Sequence, residues 1–386
     1  MSTAAEASKP KLRVGVDARS AIGQHARGEG KCLIQLYQEI AKLRPEWQLV
    51  FFGMGPQTGG AKLKQAIPGA EVRCFELPGF RWNSWENIGL PALAAWHRVD
   101  VLHSFSSGAP RLALTPVVMT VHDIIPLIAD DGLAPAEIER FRRRLSAGLH
   151  SACHVVTVSD NTRQDLLKAF DKLAPERCSV IPWAGPTPQP ELLAQKLKHW
   201  DNTFDEGHVL ALGGGGSKRK NMPGVIAMFA QVLAQWPSAR LRLIGVTSVA
   251  ERESIGAQTR ALGIAEKVEM SGYVSEQELE AAYLNANCLV YISTYEGFGL
   301  PPLEAMARGV PVIASSTSSI PEVVGDAAVT VDPDDTAAVA AAVLGLLADR
   351  PRCVELMKRG QQRAMMFSWQ RAAESMIQVL ERAAHS

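Results

Sequence analysis

Two glutamates stand in a stretch rich in glycine and proline, residues 295–307, whose sequence is YEGFGLPPLEAMA. A buried strand is predicted to end just before this stretch, and its paired prolines suit the first turn of a helix, where N–H groups need no helical partner. Glu296 would then lie at the carboxyl end of the strand and Glu304 on the first or second turn of the helix. Both carboxylates could accept hydrogen bonds from hydroxyl groups of one ligand, while the free N–H groups of residues 298–300 hold a phosphate. The alternative is a solvated glutamate in a turn and a second glutamate that stabilises the helix dipole.

A second candidate anion site combines glycines with cations. Four glycines, residues 213–216, follow a predicted strand, and Lys218, Arg219 and Lys220 stand directly before a predicted helix. Cations at a helix N-terminus oppose its dipole at a cost of ~0.3–1 kcal/mol each, which a bound anion would offset. The loop matches neither the dinucleotide fingerprint GxGxxG nor the P-loop. It predicts phosphate binding, with a plain flexible turn as the alternative.

The N-terminal half carries two further features. Gly28 and Gly30 belong to another glycine loop, which follows a strand predicted over residues 12–17 and also lacks the dinucleotide fingerprint. The pair His122-Asp123 follows a strand predicted over residues 117–121 and could form a metal site or a catalytic dyad. Successive residues of a strand face opposite sides of the sheet, so both side chains reach one site only if the strand has ended before them.

No metal site is predicted. Asp332, Asp334 and Asp335 imitate an acidic metal-binding motif, but Pro333 and the helical pattern from Thr336 favour a turn and a helix cap. The histidines show no HExxH motif and no pairing at i, i+4.

A basic cluster, formed by Arg140, Arg142, Arg143 and Arg144, lies on a predicted helix. A solvated helix face would explain it, and so would contact with an anionic lipid or with a lipid-diphosphate acceptor. Both interpretations stay open at the level of the sequence.

The composition excludes several classes of protein. The chain of 386 residues has 40 Lys and Arg against 40 Asp and Glu, so it lacks the basic surplus that a nucleic-acid binder needs. Its six cysteines include no pair spaced for zinc or for a redox motif, which suits a reducing cytosol. The polar residues 1–11 predict no secretory signal, and the longest apolar run, residues 337–348, is short of the ~20 residues of a membrane span. We therefore expect a soluble protein that rests at most on a membrane surface.

Short apolar runs alternate with helical patterns along the chain, which indicates βαβ units on a parallel sheet. A strand, a glycine loop and a helix recur near residue 208, so we predict two doubly wound α/β domains, at residues 1–185 and 186–366. Their join lies near the proline-rich segment 182–196, and residues 367–386 form one more amphipathic helix. Ligands of such sheets bind at the carboxyl ends of the strands, which places the site in the cleft between the domains.

The segment EGFGLPPLEAMARGVPVIASSTSSIPEVVGDAA, with its Glu-x7-Glu array, resembles the donor site of family 4 retaining glycosyltransferases. Further segments resemble that family in the same order: GVDARSAIGQHARGEGKC, TVHDIIPL, TVSD, GGGGSKRKN, MSGYVSEQELEAAYLNANCLVYIS and FSWQRAAESMIQVLE. The resemblance spans nearly the whole chain and is stronger in its second half. It implies the GT-B fold, with two Rossmann-like domains that face each other across a cleft and a C-terminal helix that crosses back to the first domain.

The resemblance also implies roles for individual residues. Glu296 would bind hydroxyls of the donor sugar, and Glu304 those of the ribose. Lys220 would neutralise the leaving diphosphate, and His122 would contact the sugar and the reaction centre. The implied catalytic residues are His122, Glu296 and Lys220, and the implied donor-binding residues are Gly30, Gly214, Gly215, Arg219, Lys220, Tyr273, Val274, Glu296, Phe298, Gly299, Leu300 and Glu304. Where the family often has an arginine, this chain has Gly215, and Arg219 is expected to supply that charge.

These features predict a metal-independent, retaining hexosyltransferase, with GDP-mannose as the first choice of donor and UDP- or dTDP-linked hexoses as alternatives. The acceptor would be a glycan or a lipid-linked hydroxyl compound, no cofactor is expected, and no nucleic acid is a partner. The expected location is the cytoplasm, with contact to the cytoplasmic face of the inner membrane left open. Two rival functions are a GT-B epimerase or phosphorylase and a non-catalytic nucleotide-sugar-binding protein.

Overall fold

The structure, a computed structural model, describes residues 11–22, 28–55, 57–75, 84–214 and 216–386. The strands of this part of the chain form two parallel sheets, one in each half. We call the halves the N-domain and the C-domain. Among the described residues, no helix is both long enough and apolar enough to cross a membrane.

The N-domain sheet is made of strands β1 (Arg13–Asp17), β2 (Gln48–Met54), β3 (Glu71–Phe75), β4 (Val101–Ser104), β5 (Val117–Val121), β6 (His154–Thr157) and β7 (Cys178–Val180). Their order in the sheet is β3-β2-β1-β4-β5-β6-β7. Its helices are α1 (Gly28–Leu43), α2 (Ala61–Ala66), α3 (Leu90–Trp96), α4 (Ile125–Ile128), α5 (Pro135–Ser151) and α6 (Asp160–Ala169). A π-helical turn, Trp85–Gly89, leads into α3.

The C-domain sheet contains β8 (His208–Leu212), β9 (Arg240–Ile244), β10 (Val268–Ser271), β11 (Cys288–Tyr291), β12 (Val312–Ser315) and β13 (Val329–Val331), in the order β10-β9-β8-β11-β12-β13. Its helices are α7 (Pro190–Thr203), α8 (Met222–Gln235), α9 (Val249–Ala261), α10 (Glu276–Asn285), α11 (Leu300–Ala307), α12 (Ile320–Val324), α13 (Thr336–Leu347) and α14 (Arg350–Met365), and α15 (Trp369–Ala384) follows. In both sheets the strand order reverses beside the first strand of the domain. The carboxyl ends of the strands beside such a reversal form a ligand crevice.

The strands arise from continuous apolar runs rather than from alternating patterns. Every residue of β4, β5, β11 and β12 is buried. Such runs are typical of parallel strands that helices cover on both faces, because neither face of the sheet meets water. The predicted doubly wound α/β fold is confirmed.

Helix α15 returns from the C-domain to pack on α1, β4 and β5 of the N-domain. One apolar cluster contains buried residues of both helices, among them Ala372, Ala373, Met376, Ile377, Leu380, Leu33, Leu36, Tyr37 and Ile40. The predicted crossing of the C-terminal helix is therefore confirmed.

The connection between the domains is shorter than the proline-rich segment 182–196 suggested. Helix α7 already begins at Pro190, since proline suits the first turn of a helix. Lys196, placed in the linker by its sequence neighbourhood, is buried in this helix and donates hydrogen bonds to the carbonyl oxygens of Tyr283, Leu284 and Ala286. Burial lowers the pKa of its amino group to about 7.

Candidate active site

The carboxylate of Glu296, just after β11, is the centre of the charged contacts in the cleft. Its Oε1 lies 2.7 Å from Lys220 Nζ and 2.6 Å from Arg219 Nη1. The hydroxyl of Tyr291 donates a third hydrogen bond to the same oxygen at 2.7 Å. Only 8% of Glu296 is exposed. One buried oxygen thus binds two cationic side chains from the loop after β8.

Burial and charge oppose each other in this cluster. Burial disfavours the ionised form of Glu296, but Lys220 and Arg219 outweigh that effect and hold the pKa of this carboxyl below its ordinary value. Burial lowers the pKa of Lys220, and Glu296 opposes that shift. For Arg219 the attraction of Glu296 and its neighbours outweighs burial, so its pKa is raised. Lys220 and Arg219 thus share one oxygen of Glu296, and Asp131 lies 3.9 Å from Nε of Arg219. Two cations held side by side in this way can bind the oxygens of a diphosphate.

The glycine loop leaves space for the stem of Lys220. A Cβ on Gly214 would lie 2.8 Å from Cγ of Lys220, closer than two non-bonded carbon atoms normally approach. Lys218–Lys220 form a single 3-10 turn, and the side chain of Asn221 then caps α8 by accepting from the N–H of Gly224. Gly215, also predicted to bind the donor, lies outside the described residues.

Lys218 does not join Lys220 and Arg219 at Glu296. It reaches the N-domain instead, where its Nζ lies 3.2 Å from Oδ2 of Asp130. Beside it, the hydroxyl of Ser217 donates a hydrogen bond to Asp131 at 2.5 Å. The glycine loop therefore spans the cleft: Lys218 pairs with the N-domain, while Arg219 and Lys220 share Glu296.

The N-domain holds the backbone of the turn that carries Glu296. The hydroxyls of Ser159 and Thr162 donate hydrogen bonds to the carbonyl oxygen of Gly297 at 2.6 and 3.1 Å. A Cβ on Gly297 would overlap the carbonyl oxygen of His122, so glycine is needed for this close approach. The carboxylate of Glu296 is thus fixed next to the loop that follows β5.

His122 belongs to that loop, and only 7% of it is exposed. Its Nε2 lies 2.6 Å from the carbonyl oxygen of Phe105, and its ring packs edge-on against the ring of Phe105. A carbonyl oxygen only accepts hydrogen bonds, so Nε2 carries the proton and Nδ1 is the acceptor of the neutral ring. This geometry leaves Nδ1 of His122 as the nitrogen that can accept a hydrogen bond from a ligand hydroxyl.

Because β5 ends at Val121, His122 and Asp123 both follow the strand, and the condition for both to face one cleft is met. Burial raises the pKa of Asp123, against the attraction of His122 and Arg219. A Cβ on Gly297 would also lie 2.9 Å from Cβ of Asp123. Asp123 therefore stands beside the Glu296 cluster.

Helix α11 begins close to Glu296. Gly299 has a φ of 111°, a conformation that costs glycine little, and buried Phe298 packs edge-on against Phe367. Within the described part of the chain, the N–H groups of Phe298, Gly299 and Leu300 have no hydrogen-bond acceptor. Free N–H groups at the start of a helix attract anions, so a phosphate here would lie between α11 and the cations of the glycine loop.

Glu304 lies on the second turn of α11, in a separate cavity of about 500 Å³ that it shares with Lys31 of α1 and Arg308. The hydroxyl of Tyr283 donates a hydrogen bond to its Oε2 at 3.3 Å. Burial raises the pKa of Glu304, against the charges of Arg308 and Lys31. The cavity lies between α1 of the N-domain and helices α10 and α11 of the C-domain.

Three further residues predicted to bind the donor have different surroundings. Gly30 is buried in α1, and a Cβ there would overlap the carbonyl oxygen of Ser20, so glycine is required for helix packing, a reason that the sequence did not suggest. Tyr273 is 76% exposed, and Val274 is partly buried against the core. Both precede α10, whose residues Glu276 and Glu280 line the cavity of Glu304.

The acidic sequence Asp332 to Asp335 forms a turn and a helix cap, as predicted. The N–H of Asp334 donates to Asp332 at 3.0 Å, and Asp335 caps α13 by accepting from the N–H of Ala338 at 2.9 Å. Among the described residues, no three histidine, cysteine, aspartate or glutamate side chains form a cluster that could hold a metal ion.

Several contributors to the site were not identified from the sequence. Tyr291 is the last residue of β11, and its position at the carboxyl end of a strand is a signal that could have identified it as a site residue. Ser318, whose hydroxyl accepts from the N–H of Glu296 at 3.0 Å, has a φ of 54° and carries no sequence signal. Ser319 donates to the carbonyl oxygens of Glu296 and Phe298, both at 2.8 Å. These contacts hold the turn from the C-domain side.

Both halves of the chain match models of known families. Residues 27–184 match "Glycosyltransferase Family 4", and residues 195–363 match "Glycosyl transferases group 1". The O-antigen chain mannosyltransferase B of Escherichia coli is 32% identical over 273 residues, which cover 68% of this chain and 70% of that protein. The MMP alpha-(1->4)-mannosyltransferase of Mycolicibacterium hassiacum is 29% identical, over 74% of this chain and 71% of that protein.

Solved structures agree on the fold. HepE of Anabaena, crystallised with UDP and glucose, superposes with a TM-score of 0.75 at 18% identity and covers 96% of this chain and 100% of its own. Together with the family models and the E. coli relative, this identifies the chain as a hexose-transferring member of glycosyltransferase family 4 with the GT-B fold.

Proposed function

We propose that the chain transfers mannose from GDP-mannose, with retention of configuration and without a metal ion, to a hydroxyl of a glycan or lipid-linked acceptor in polysaccharide synthesis. The observation that carries the proposal is the convergence of Lys220 and Arg219 on Glu296 beside the free N–H groups of α11. The choice of mannose is supported by the relatives from E. coli and M. hassiacum, which are mannosyltransferases.

The leaving diphosphate would lie between the glycine loop and the N-terminus of α11. Lys220 and Arg219 would then exchange part of their contact with Glu296 for phosphate oxygens, and the N–H groups of residues 298–300 would donate to the same anion. Fixed donors of this kind stabilise charge that develops in a transition state, the role that a metal ion has elsewhere. His122 and Glu296 are only 7% and 8% exposed, so little water can reach either residue.

The sugar would lie between Glu296 and His122, whose loops are in contact. The acceptor hydroxyl attacks the anomeric carbon on the face that the phosphate leaves, the bond to the phosphate oxygen breaks, and that oxygen takes the hydroxyl proton. This transfer needs no strong general base. Nδ1 of His122 and the carboxylate of Glu296 would hold sugar hydroxyls during the reaction, and Glu304 would bind the ribose in its cavity.

The donor and the metal requirement can be tested together. We expect GDP-mannose to raise Tm more than UDP-glucose or dTDP-rhamnose does, and mannosyl transfer to an oligosaccharide panel to continue in EDTA with the anomeric configuration retained by NMR. A larger shift with another nucleotide sugar would contradict the choice of donor. Activity lost in EDTA and restored by manganese would contradict metal independence. Turnover without acceptor would favour the epimerase or phosphorylase, and binding without turnover a nucleotide-sugar-binding protein.

Lys220→Ala should lower kcat by about 10²–10³-fold, because it removes one fixed cationic donor from the leaving diphosphate. Lys218→Ala is the matched control: the Lys218 side chain is 63% exposed and pairs with Asp130, so its loss should change kcat little. Steady-state kinetics with saturating donor measures both variants. Similar losses in the two variants would show that the loop acts through its total charge and not through Lys220.

Glu304→Gln and Glu296→Gln should separate nucleotide binding from turnover. Glu304→Gln removes the carboxylate of the proposed ribose cavity and should weaken binding of free GDP. Glu296→Gln releases Lys220 and Arg219 for the diphosphate, so GDP should bind at least as well as to the wild type, while kcat falls strongly because sugar contacts tighten as the bond breaks. Isothermal titration with GDP and single-turnover kinetics measure these effects. A loss of GDP affinity in Glu296→Gln as large as in Glu304→Gln would mean that the donor lies in another orientation.

A lipid-linked acceptor would bring the protein to the cytoplasmic face of a membrane, and we propose peripheral contact there. Leu112 and Leu114 of the N-domain are 85% and 92% exposed, and exposed leucines near basic residues favour the surface of anionic bilayers. The double change of Leu112 and Leu114 to Gln should reduce co-sedimentation with anionic vesicles, whereas Leu262→Gln, at an exposed leucine of the C-domain, should not. Equal binding of all three proteins would contradict this contact.

A further inference from the structure

The N-domain contains a cavity of about 570 Å³ that the proposed donor site does not use. We call it the arginine pocket, because Arg111, Arg140, Arg143 and Arg144 line it, together with Glu86 and Asn87. It lies between helix α5 and the segment that follows β4. The donor cations, Lys220 and Arg219, belong to the opposite domain.

The basic cluster predicted on α5 is divided by the helix. Arg143 and Arg144 follow Arg140 by three and four residues, and all three line the pocket. Arg142 is exposed but does not line it, and Phe141 packs against the core. A uniform charged face of four arginines is therefore not what the structure contains, and Arg142 becomes an internal comparison for the other three.

Glu86, the acidic residue that lines the pocket, is neutralised by arginines at the base of the pocket, which we call its floor. Glu86, 1% exposed, binds Nη2 of Arg144 at 2.6 Å and Nη2 of Arg19 at 3.3 Å, and Arg19 also binds Asp17 at 2.5 Å. Two carboxylates and two guanidinium groups balance in this network. The charges of Arg111, Arg140 and Arg143 are thus left as a surplus above a neutral floor.

That surplus is poorly satisfied within the protein. Arg143 pairs with Glu139 at 3.0 Å, but both side chains are largely exposed, 72% and 49%, so the pair is weak. Among the described residues, the side chains of Arg111 and Arg140 form no hydrogen bond or ion pair. Guanidinium groups that converge on a cavity match the paired oxygens of phosphate, which they can bind with two parallel hydrogen bonds.

The floor of the pocket is connected to the reaction centre by one short segment. Arg144 donates to the carbonyl oxygen of Ser106 at 3.0 Å, Ser107 accepts from the N–H of His122 at 3.1 Å, and Phe105 accepts from its ring. Ser106 is 8% exposed, and its hydroxyl has no hydrogen-bond partner in the described structure. Arg144, which lines the pocket, is therefore linked to His122 by hydrogen bonds through residues 105–107.

We propose that the arginine pocket binds a phosphate or diphosphate group of the acceptor and so places the acceptor hydroxyl next to His122. This inference rests on the proposed transfer reaction for the identity of the ligand, but the anion site itself does not. The group could belong to a lipid-linked diphosphate or to a free sugar phosphate, and the recognition chemistry is the same for both. The pocket selects acceptors by a negative charge at a fixed distance from the reacting hydroxyl.

The first test is binding, which needs no turnover. Inorganic pyrophosphate, titrated calorimetrically, should bind the wild-type chain at the donor site and at the arginine pocket. The double variant R140E/R143E should lose the second site, with affinity lower by about ten-fold or more, while Arg142→Glu keeps it. Equal losses in R140E/R143E and R142E, or no loss in either, would overturn the pocket. Unchanged GDP affinity in R140E/R143E checks that the fold and the donor site are intact.

The second test identifies the source of the phosphate. Hexose transfer is measured to a lipid-linked diphosphate oligosaccharide in micelles, to a soluble sugar phosphate, and to the same sugar without phosphate. R140E/R143E should raise KM at least about ten-fold for one of the two phosphorylated acceptors and leave kcat similar, and R142E should match the wild type. An unchanged KM for both would overturn the acceptor role. If no acceptor is used by the wild type, the proposed reaction fails, and the pyrophosphate result still decides whether the anion site exists.

Discussion

The cleft depends on one buried carboxylate, Glu296, that holds two cations from another loop. Lys220 and Arg219 have side chains only 11% and 19% exposed, so without Glu296 they would be two like charges in a region of low dielectric. Without them, Glu296 would be a buried charge with no cation beside it, which is costly. The glycine loop and the turn before α11 are therefore fixed together before any donor is bound. Electrostatic catalysis requires this order, because charges that are already in place need no reorganisation when the bond breaks.

The N-domain completes the arrangement through the ends of its helices and strands. Two helix N-termini lie at the domain boundary, and they differ in whether their N–H groups have an acceptor within the described structure. The first N–H groups of α6, those of Asp160 and Asn161, donate to the carboxylate of Glu322 at 2.8 and 2.6 Å. The N–H groups that open α11 have no such partner among the described residues. An anion is favoured at either terminus. Glu322 supplies that anion to α6 as an interdomain contact, and the N-terminus of α11 is available to a ligand.

The limits of sequence reasoning are visible in particular residues. The continuous apolar strands predicted two doubly wound sheets, because helices that cover both faces leave a clear pattern. The motif around Glu296 and Glu304 predicted which side of the cleft binds the donor. The pairing of Glu296 with Lys220 could not be read from the chain, since it joins residues that are distant in sequence through an interface of two loops. The same holds for Glu86, which follows no motif. Lys196 was misjudged because nearby prolines resemble a linker, although Pro190 begins a helix.

Overall charge also gave an incomplete picture. A formal net charge of zero predicts no surface that attracts nucleic acid, but it describes the sum over the whole chain. Within the N-domain, Asp17 and Glu86 neutralise Arg19 and Arg144, and Arg111, Arg140 and Arg143 remain above them. Across the cleft, Lys220 and Arg219 share the carboxylate of Glu296, and Asp131 lies 3.9 Å from Arg219. Each domain thus holds a group of cations at its own side of the proposed reaction centre. A donor diphosphate and an acidic acceptor can then bind in separate places, where each meets positive charge and neither must approach the other's negative charge.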